Sequence, residues 1–315
     1  MQGCGLYLQK NNVTMKNNKL KGYLCAIIAA IAYGTNPLGA LFLYKESFNT
    51  SSVIFYRYTF AIIILWVILL IKNVPMKINK YEFKILSSLG VLFAASSLSL
   101  FSSFNYMDSG IASTILFSYP IIVAIIMTVF FKEKASWLTI ISIILSALGI
   151  IMLYQGDGTA KLSTVGVILV FISSFTYAVY IVIVNCCKIT MSSFKMTFYI
   201  MIFAYLTVFV FSLFGEQNHI ILIPSVASLG WILMLALVPT VIAMVMLNIG
   251  IFYAGSTPTA ILGALEPVTA VIISITIFNG IFTLRLSVGI IFILLAVMLI
   301  VVGKTIFSKN KALKQ

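Results

Sequence analysis

The sequence predicts an all-α membrane protein with ten transmembrane helices arranged as two inverted five-helix repeats. Hydrophobic residues make up 62% of the 315-residue chain and charged residues only 9%, whereas a soluble domain is about 45–50% apolar and about 25% charged. This composition excludes a soluble enzyme. The net charge of +13 does not indicate a nucleic-acid partner, because the basic residues lie in the gaps between apolar segments and not on one folded face.

Ten segments are long enough to cross a bilayer core, which requires roughly 20 apolar residues in a helix. The gaps between them are short, so neighbouring helices form hairpins and no gap holds a separate soluble domain. The predicted spans, numbered 1 to 10 in chain order, are Gly22–Tyr44, Val53–Ile71, Ile85–Tyr106, Gly110–Phe131, Ser136–Tyr154, Thr164–Val184, Met196–Phe214, Gly230–Tyr253, Thr257–Phe278 and Leu286–Gly303.

The distribution of Lys and Arg predicts the orientation of the chain. Sixteen of the twenty lie in the two terminal segments or in even-numbered gaps; the odd-numbered gaps hold only Lys45, Lys161 and Arg285, and Arg57 lies inside span 2. Because Lys and Arg concentrate in cytoplasmic loops, we expect a multi-pass protein of the cell (inner) membrane with both termini cytoplasmic.

The domain organisation follows from these spans. We expect cytoplasmic tails at residues 1–20 and 305–315, and five-helix repeats at residues 21–155 and 162–304. Nothing in the first fourteen residues indicates structure, so Met15 is an alternative start of translation.

An internal repeat links the two halves. Residues 101–120 align without a gap with residues 248–267, which places Pro120 over Pro267, and Tyr33 of span 1 stands over Tyr177 of span 6. Because each copy has an odd number of spans, the second copy is inserted upside down relative to the first. Inverted repeats place substrate sites near the midplane, at the interface between the repeats.

Several motifs stand in a distinctive order and spacing along the chain. They are Tyr33–Pro37, Arg57, Gly110–Thr114, Tyr119-Pro120, Phe131–Lys134 and Thr259–Pro267. Together they resemble the EamA-type transporters of the drug/metabolite transporter superfamily. The resemblance covers about residues 20–304 and departs from the family pattern at Asn279-Gly280, where an acidic residue equivalent to Glu133 is usual. It implies ten helices in inverted repeats and the export or uptake of small metabolites such as amino acids.

Glu266 is the one acidic residue predicted to lie deep in the membrane. It is ten residues into span 9, which is about 15 Å along a helix. An ionised carboxylate at that depth is expensive unless it is paired or reaches a water-filled cavity. Glu266 is therefore either a contact for a substrate amine or a proton-coupling site, or else a structural carboxyl hydrogen-bonded to a neighbouring helix.

Arg57 is the one basic residue inside a span. It lies about five residues from the outer end of span 2, so its side chain either extends to the interface, as long basic side chains do, or lines an outward vestibule. In the second case it attracts a carboxylate or pairs with Glu266.

Prolines interrupt four spans. Pro37 removes a backbone hydrogen bond and disfavours helix at Asn36, so span 1 is either a broken helix with Asn36 and Tyr33 facing a pathway or a simple kink. The other proposed hinges and site residues are Pro120, Pro239, Pro267, Tyr119, Tyr177 and Asn248.

No pattern in the sequence indicates an enzyme, a metal site or a cofactor. The single histidine lies in a connector, the four cysteines lack metal-ligand spacing, and no phosphate-binding loop is present to power an ATP pump. We expect a secondary transporter that exports amino-acid-like solutes by alternating access. An uncoupled uniporter or channel is the main alternative, followed by a membrane-embedded enzyme. The expected partners are a small solute and the bilayer, with no nucleic acid; proton coupling and homodimerisation stay open.

Overall fold

The structure is a computed structural model, and it is all-helical in the residues it describes. These are residues 15–107, 112, 115–132, 137–153, 163–187, 189, 191–214, 219–223, 225–277, 284–285, 287–296 and 298–299. No β-strand occurs within these ranges.

Thirteen helices are labelled here in chain order. They are α1 (Met15–Tyr33), α2 (Asn36–Lys45), α3 (Thr50–Ile71), α4 (Lys80–Ser103), α5 (Tyr119–Phe131), α6 (Trp137–Leu153), α7 (Thr164–Cys186), α8 (Ser193–Ser212), α9 (Val226–Ala236), α10 (Ala243–Ala254), α11 (Ser256–Leu262), α12 (Leu265–Ile277) and α13 (Ser287–Ala296), with a π-helical segment, Leu237–Ile242, between α9 and α10.

Among the described residues, six helical stretches are long and apolar enough to cross a membrane. They are Lys19–Lys45, Thr50–Ile71, Lys80–Ser103, Thr164–Cys186, Ser193–Ser212 and Val226–Ala254, and they correspond to predicted spans 1, 2, 3, 6, 7 and 8. Predicted spans 4, 5, 9 and 10 contain the shorter apolar helices α5, α6, α11 with α12, and α13. Large apolar side chains cover the outside, including Trp137 (80% exposed) and Phe252 (74% exposed). Such a surface suits lipid and not water, so the protein is a multi-pass membrane protein.

Some residues named in the sequence predictions lie outside the described residues. They are Gly110, Ile111, Ser113 and Thr114 of the span 4 motif, Glu133, Lys134, Lys161, Asn279, Gly280, residues 1–14 of the predicted N-terminal tail, and the predicted C-terminal tail at 305–315.

Polar side chains at helix starts satisfy the first backbone N–H groups, which have no partner within the helix. Asn49 accepts from the backbone N–H of Ser52 at 2.8 Å before α3. Asn79 and Glu82 form a reciprocal capping box before α4. These caps explain why α3 and α4 begin three to five residues earlier than the apolar pattern predicts.

The helices of the two repeats interleave. The most extensive contacts join α1 to α10, α4 to α7, α4 to α8, and α3 to both α8 and α9, so each pair takes one helix from each half of the chain. The same contacts recur when each span is replaced by its counterpart in the other repeat. Span 3 packs against span 6, and their counterparts, spans 8 and 1, also pack together. Span 4 packs against span 6, and their counterparts, spans 9 and 1, do the same. This is the relation expected for two copies related by a pseudo-two-fold axis.

Glycines allow backbones of the two repeats to approach closely. A Cβ on Gly90 of α4 would lie 2.4 Å from Cβ of Phe203 and 2.9 Å from the backbone nitrogen of Ala204 on α8. A Cβ on Gly149 of α6 would lie 2.7 Å from the carbonyl oxygen of Gly289 on α13. The second contact joins helices of spans 5 and 10, and small residues at such positions let membrane helices pack tightly.

The Gly90→Ala variant should therefore be destabilised by about 1–3 kcal/mol, because the backbone of α8 cannot yield to the added methyl group. The matched control is Gly230→Ala on α9, where an added Cβ would meet nothing within 4 Å and alanine is the better helix former. Thermal unfolding of both variants in the same detergent measures the difference. Equal stabilities would contradict the close approach at Gly90.

Candidate functional site

The first feature of the site is the interruption of span 1. A turn at Gly34-Thr35 separates α1 from α2 and is closed by hydrogen bonds from Gly34 N–H to the Ala30 carbonyl at 2.9 Å and from Thr35 N–H to the Ala32 carbonyl at 3.2 Å. Pro37 disfavours helix at Asn36, yet Asn36 is the first residue of α2. The break is taken up upstream of Asn36, since proline is readily accepted in the first turn of a new helix.

Spans 4 and 9 break in the same way ahead of their prolines. Residues 117–118 form a turn before Tyr119-Pro120 at the start of α5, and residues 263–264 form a turn before α12, which carries Glu266-Pro267. The Glu266 backbone N–H bonds to the Gly263 carbonyl at 2.9 Å, a tightened turn three residues long. Spans 1, 4 and 9 are therefore each interrupted by a turn that ends two or three residues before the proline.

Span 8 adapts to its proline differently, by widening into the π-helical segment that contains Pro239. Since Pro239 has no N–H, the Leu235 carbonyl four residues earlier loses its usual donor. The Thr240 hydroxyl donates to that carbonyl at 2.7 Å and replaces it.

Glu266 lies at the break of span 9, surrounded by aromatic rings. Its charge interacts electrostatically with Tyr33, Tyr119 and Tyr177, and with the guanidinium of Arg57. Glu266 retains partial solvent exposure although protein encloses it. Within the described residues no hydrogen bond of its carboxylate is found.

The tyrosines form one connected aromatic cluster. The ring of Tyr177 lies 5.0 Å from that of Tyr119 and 6.5 Å from that of Tyr33, both edge-on, and it stacks on Tyr180 at 6.1 Å. Tyr33 and Tyr177, which the repeat alignment superposes, therefore meet each other at the repeat interface. The Tyr119 hydroxyl donates to the Ala260 carbonyl of span 9 at 3.1 Å.

Arg57 is 2% exposed and points into the bundle, not towards the interface. Its guanidinium donates through Nη1 to Oδ1 of Asn36 at 2.9 Å, through Nη2 to the Pro239 carbonyl at 2.9 Å, and through Nε to the Thr240 hydroxyl. These bonds join α3 to the break of span 1 and to the π-helical segment of span 8. All three acceptors are neutral, so the positive charge is available to act on Glu266 and on a bound solute.

Asn248 occupies a second buried network on the other side of the cluster. Its Oδ1 accepts from the Tyr180 hydroxyl at 2.9 Å, and its Nδ2 donates to the Thr197 hydroxyl at 3.1 Å. The structure thus brings Tyr33, Tyr119, Tyr177 and Glu266 into one cluster. It connects Asn36 and Arg57 directly, and it reaches Asn248 through Tyr180.

Two residues of the site were missed in the sequence. Thr240 links Arg57 to span 8, and the ring of Phe101 lies 5.8 Å beneath the Arg57 guanidinium. A threonine hydroxyl directly after the proline of a membrane span was a usable signal for the first. Nothing in the apolar pattern of span 3 distinguishes Phe101 from its neighbours.

Replacing Arg57 by lysine should lower the free energy of unfolding by about 2–5 kcal/mol. A single ammonium cannot serve three separated acceptors, and each buried acceptor left without a donor costs about 1–3 kcal/mol. Thermal unfolding of Arg57→Lys, compared with Arg285→Lys at an exposed site with one bond to the Ile151 carbonyl, measures the effect. An unchanged Arg57→Lys protein would remove the three-way link.

Comparison with known proteins gives the following matches. The sequence model of the EamA-like transporter family matches residues 20–155 and again residues 164–302. No curated protein matches the chain. Among solved structures, one described only as a crystal structure of a protein superposes with a TM-score of 0.75 at 13% sequence identity, covering 92% of this chain and 98% of the other. At that identity the likeness concerns the fold alone.

Proposed function

Since this chain belongs to the EamA-like transporter family, we propose that it is a secondary transporter that moves small metabolites across the cell membrane by alternating access. The ten-span arrangement in two inverted repeats belongs to this proposal, as do the cytoplasmic termini. The single observation that carries it is the place of Glu266: a partly exposed carboxylate in the first turn of α12, at the break of span 9, within electrostatic reach of Arg57.

A carboxylate in this position has two uses in a transporter. It binds the amine of a solute, or it accepts a proton that exchanges with the solute. Both uses require that the group remain free of permanent structural hydrogen bonds. The alternative of a structural carboxyl bonded to a neighbouring helix requires such bonds, and among the described residues none is present.

The solute class we propose is an amino-acid-like zwitterion, with export favoured. Glu266 would receive the ammonium group, with the edges and faces of the nearby tyrosine rings around it. Arg57 uses three of its five N–H donors within the protein, so its charge and two further donors attract the carboxylate. Tyr33 and Asn36, at the break of span 1, would line the same space.

Alternating access would use the interrupted helices as hinges. Spans 1, 4 and 9 break beside Pro37, Pro120 and Pro267, and span 8 widens at Pro239. Each interruption separates an inner from an outer half-helix, so one half can move against the opposite repeat while the other stays packed. Interleaved repeats couple these movements, because every major contact joins one repeat to the other.

Glu266→Gln should reduce transport at least about tenfold and abolish its dependence on pH. The amide keeps the shape of the side chain, but it carries no charge to bind an ammonium group and does not titrate. A hydrogen bond to a charged group contributes about 1.5–3 kcal/mol. The measurement is uptake into proteoliposomes from a panel of amino acids, nucleosides and sugars. Glu82→Gln is the control, since Glu82 is an exposed capping residue. Parent-like transport by Glu266→Gln would refute the proposed role.

An uncoupled uniporter or channel is the second candidate. It is distinguished by counterflow: an alternating-access transporter preloaded with unlabelled solute accumulates labelled solute transiently, whereas a channel only equilibrates it. Flux that is independent of the proton gradient and shows no counterflow would favour the channel.

A further inference from the structure

Buried hydroxyls that lack a regular hydrogen bond are concentrated on spans 1 and 9. Five buried side-chain oxygens lack such a bond within the described residues. Four belong to these two spans, which pack against each other, and the fifth is Ser51 at the start of α3. The four are Tyr23, Tyr33, Ser256 and Thr259, of which Tyr33 has the Tyr177 hydroxyl within side-chain hydrogen-bonding reach. Because buried polar groups are almost always bonded, an unpaired group calls for an explanation such as bound water.

Two of these hydroxyls lie on the same stripe of span 9 as Glu266. Ser256, Thr259, Gly263 and Glu266 follow one another at intervals of three, four and three residues. The first two lie on one face of α11, and backbone hydrogen bonds continue the stripe across the turn, from Gly263 N–H to the Thr259 carbonyl at 3.1 Å and from Glu266 N–H to the Gly263 carbonyl at 2.9 Å. The rise between successive positions is about 4.5–6 Å. Two hydrogen bonds through one water span about 5.5 Å, so a single water fits between neighbouring positions.

The space beside Gly263, where another residue would have its side chain, is filled by a hydroxyl from another helix. A Cβ on Gly263 would lie 1.8 Å from the Tyr119 hydroxyl oxygen, so this oxygen sits where a side chain of span 9 would otherwise be. The Tyr119 hydroxyl donates its proton to the Ala260 carbonyl at 3.1 Å, and its lone pairs remain free to accept. Three hydroxyls, those of Ser256, Thr259 and Tyr119, therefore lead along span 9 to Glu266.

The other end of the stripe lies near the membrane surface where α1 begins. A Cβ on Gly22 would lie 2.8 Å from the backbone nitrogen of Ala254, so Gly22 and its neighbour Tyr23 stand level with the start of α11. The Lys21 ammonium lies 5.5 Å from the centroid of the Tyr253 ring at the same level. The Lys and Arg distribution predicts this side to be cytoplasmic.

We propose that Ser256, Thr259 and Tyr119 line a hydrated proton path from the Ser256 side of the membrane to Glu266. This proposal rests on the proposed function, to which it adds the route and the side of proton entry. A proton from water on that side passes along the bridging waters and hydroxyls, each oxygen releasing one O–H proton as it receives another. The last transfer forms the O–H bond of the Glu266 carboxyl, and the path returns to its starting composition after the hydroxyls reorient.

The charged and titratable groups around Glu266 are consistent with one proton acceptor at the end of this path. Arg57 faces it from α3, Tyr33 from α1, Tyr119 from α5 and Tyr177 from α7. Helices α6 and α2 also pack against α12. Helix α6 carries no ionisable side chain. The ionisable side chains of α2 are Tyr44 and Lys45, at the end of α2 away from the break of span 1.

The test follows protonation of Glu266 directly by infrared spectroscopy. The protein is reconstituted in one orientation in proteoliposomes, and the pH is changed on one side only. The carboxyl C=O band that is absent from Glu266→Gln then measures how fast Glu266 gains or loses its proton. For a pH step on the Ser256 side, this band should change about tenfold or more slowly in Thr259→Val, which keeps the shape, and in Ser256→Ala. The reason is that each variant removes one hydroxyl that transfers the proton. A step from the opposite side should give the parent rate, and Thr259→Ser should restore the rate from the Ser256 side.

The control is Ser51→Ala, which removes a buried unpaired hydroxyl away from the stripe and should leave both rates unchanged. Parent rates in Thr259→Val and Ser256→Ala would overturn the path. So would equal slowing from both sides, or the absence of a titrating Glu266 band. Because the band is read without any solute, a path that fails while Glu266→Gln still blocks transport refutes the path alone. Unchanged transport in Glu266→Gln refutes the proposed function instead.

Discussion

A proline inside a membrane helix leaves one backbone carbonyl without its usual donor, and hydrocarbon supplies no water to replace it. In this protein that constraint acts in four spans, at Pro37, Pro120, Pro239 and Pro267. Three spans respond with tight turns just before the proline, and span 8 responds with a π-helical segment held by the Thr240 hydroxyl. The polar groups of the site are located where these irregularities meet, because irregular backbone at membrane depth is stable only against protein or water.

The two repeats share the interruption before proline only in spans 4 and 9, because spans 6 and 3, the counterparts of spans 1 and 8, are continuous helices without proline. Even at the shared interruption the side chains have diverged. In the register of the repeat, Tyr119 corresponds to Glu266, since each directly precedes the proline of its span. Likewise Asn36 corresponds to Tyr180 and Phe101 to Asn248. Asn36 and Phe101 both contact Arg57, whereas their counterparts Tyr180 and Asn248 bond to each other directly. The two halves thus contribute one acidic and one basic group to the site instead of two of each.

Local sequence predicted the positions of these features better than their connections. The apolar segments and the broken span 1 follow from composition and proline, which are properties of one segment. The partners of Arg57 could not be predicted, because they depend on spans 1, 2 and 8 being adjacent, and periodicity in a uniformly apolar helix does not encode which face meets which neighbour. The π-helical segment was missed for a similar reason: proline predicts a lost hydrogen bond, but not whether the helix turns or widens to accommodate it.

The arrangement of Arg57 and Glu266 also bears on how binding and coupling would be related in the proposed mechanism. Arg57 is held by hydrogen bonds to three neutral acceptors and keeps its charge throughout. The Glu266 carboxylate has no hydrogen bond to any described residue, so in this mechanism it can gain or lose a proton. With Glu266 ionised the site is electrically balanced and suits a zwitterion. With Glu266 protonated the site carries a net positive charge and no longer attracts an ammonium group. One proton on one residue would then be enough to release the solute, which is the requirement for exchanging a solute for a proton at a shared site.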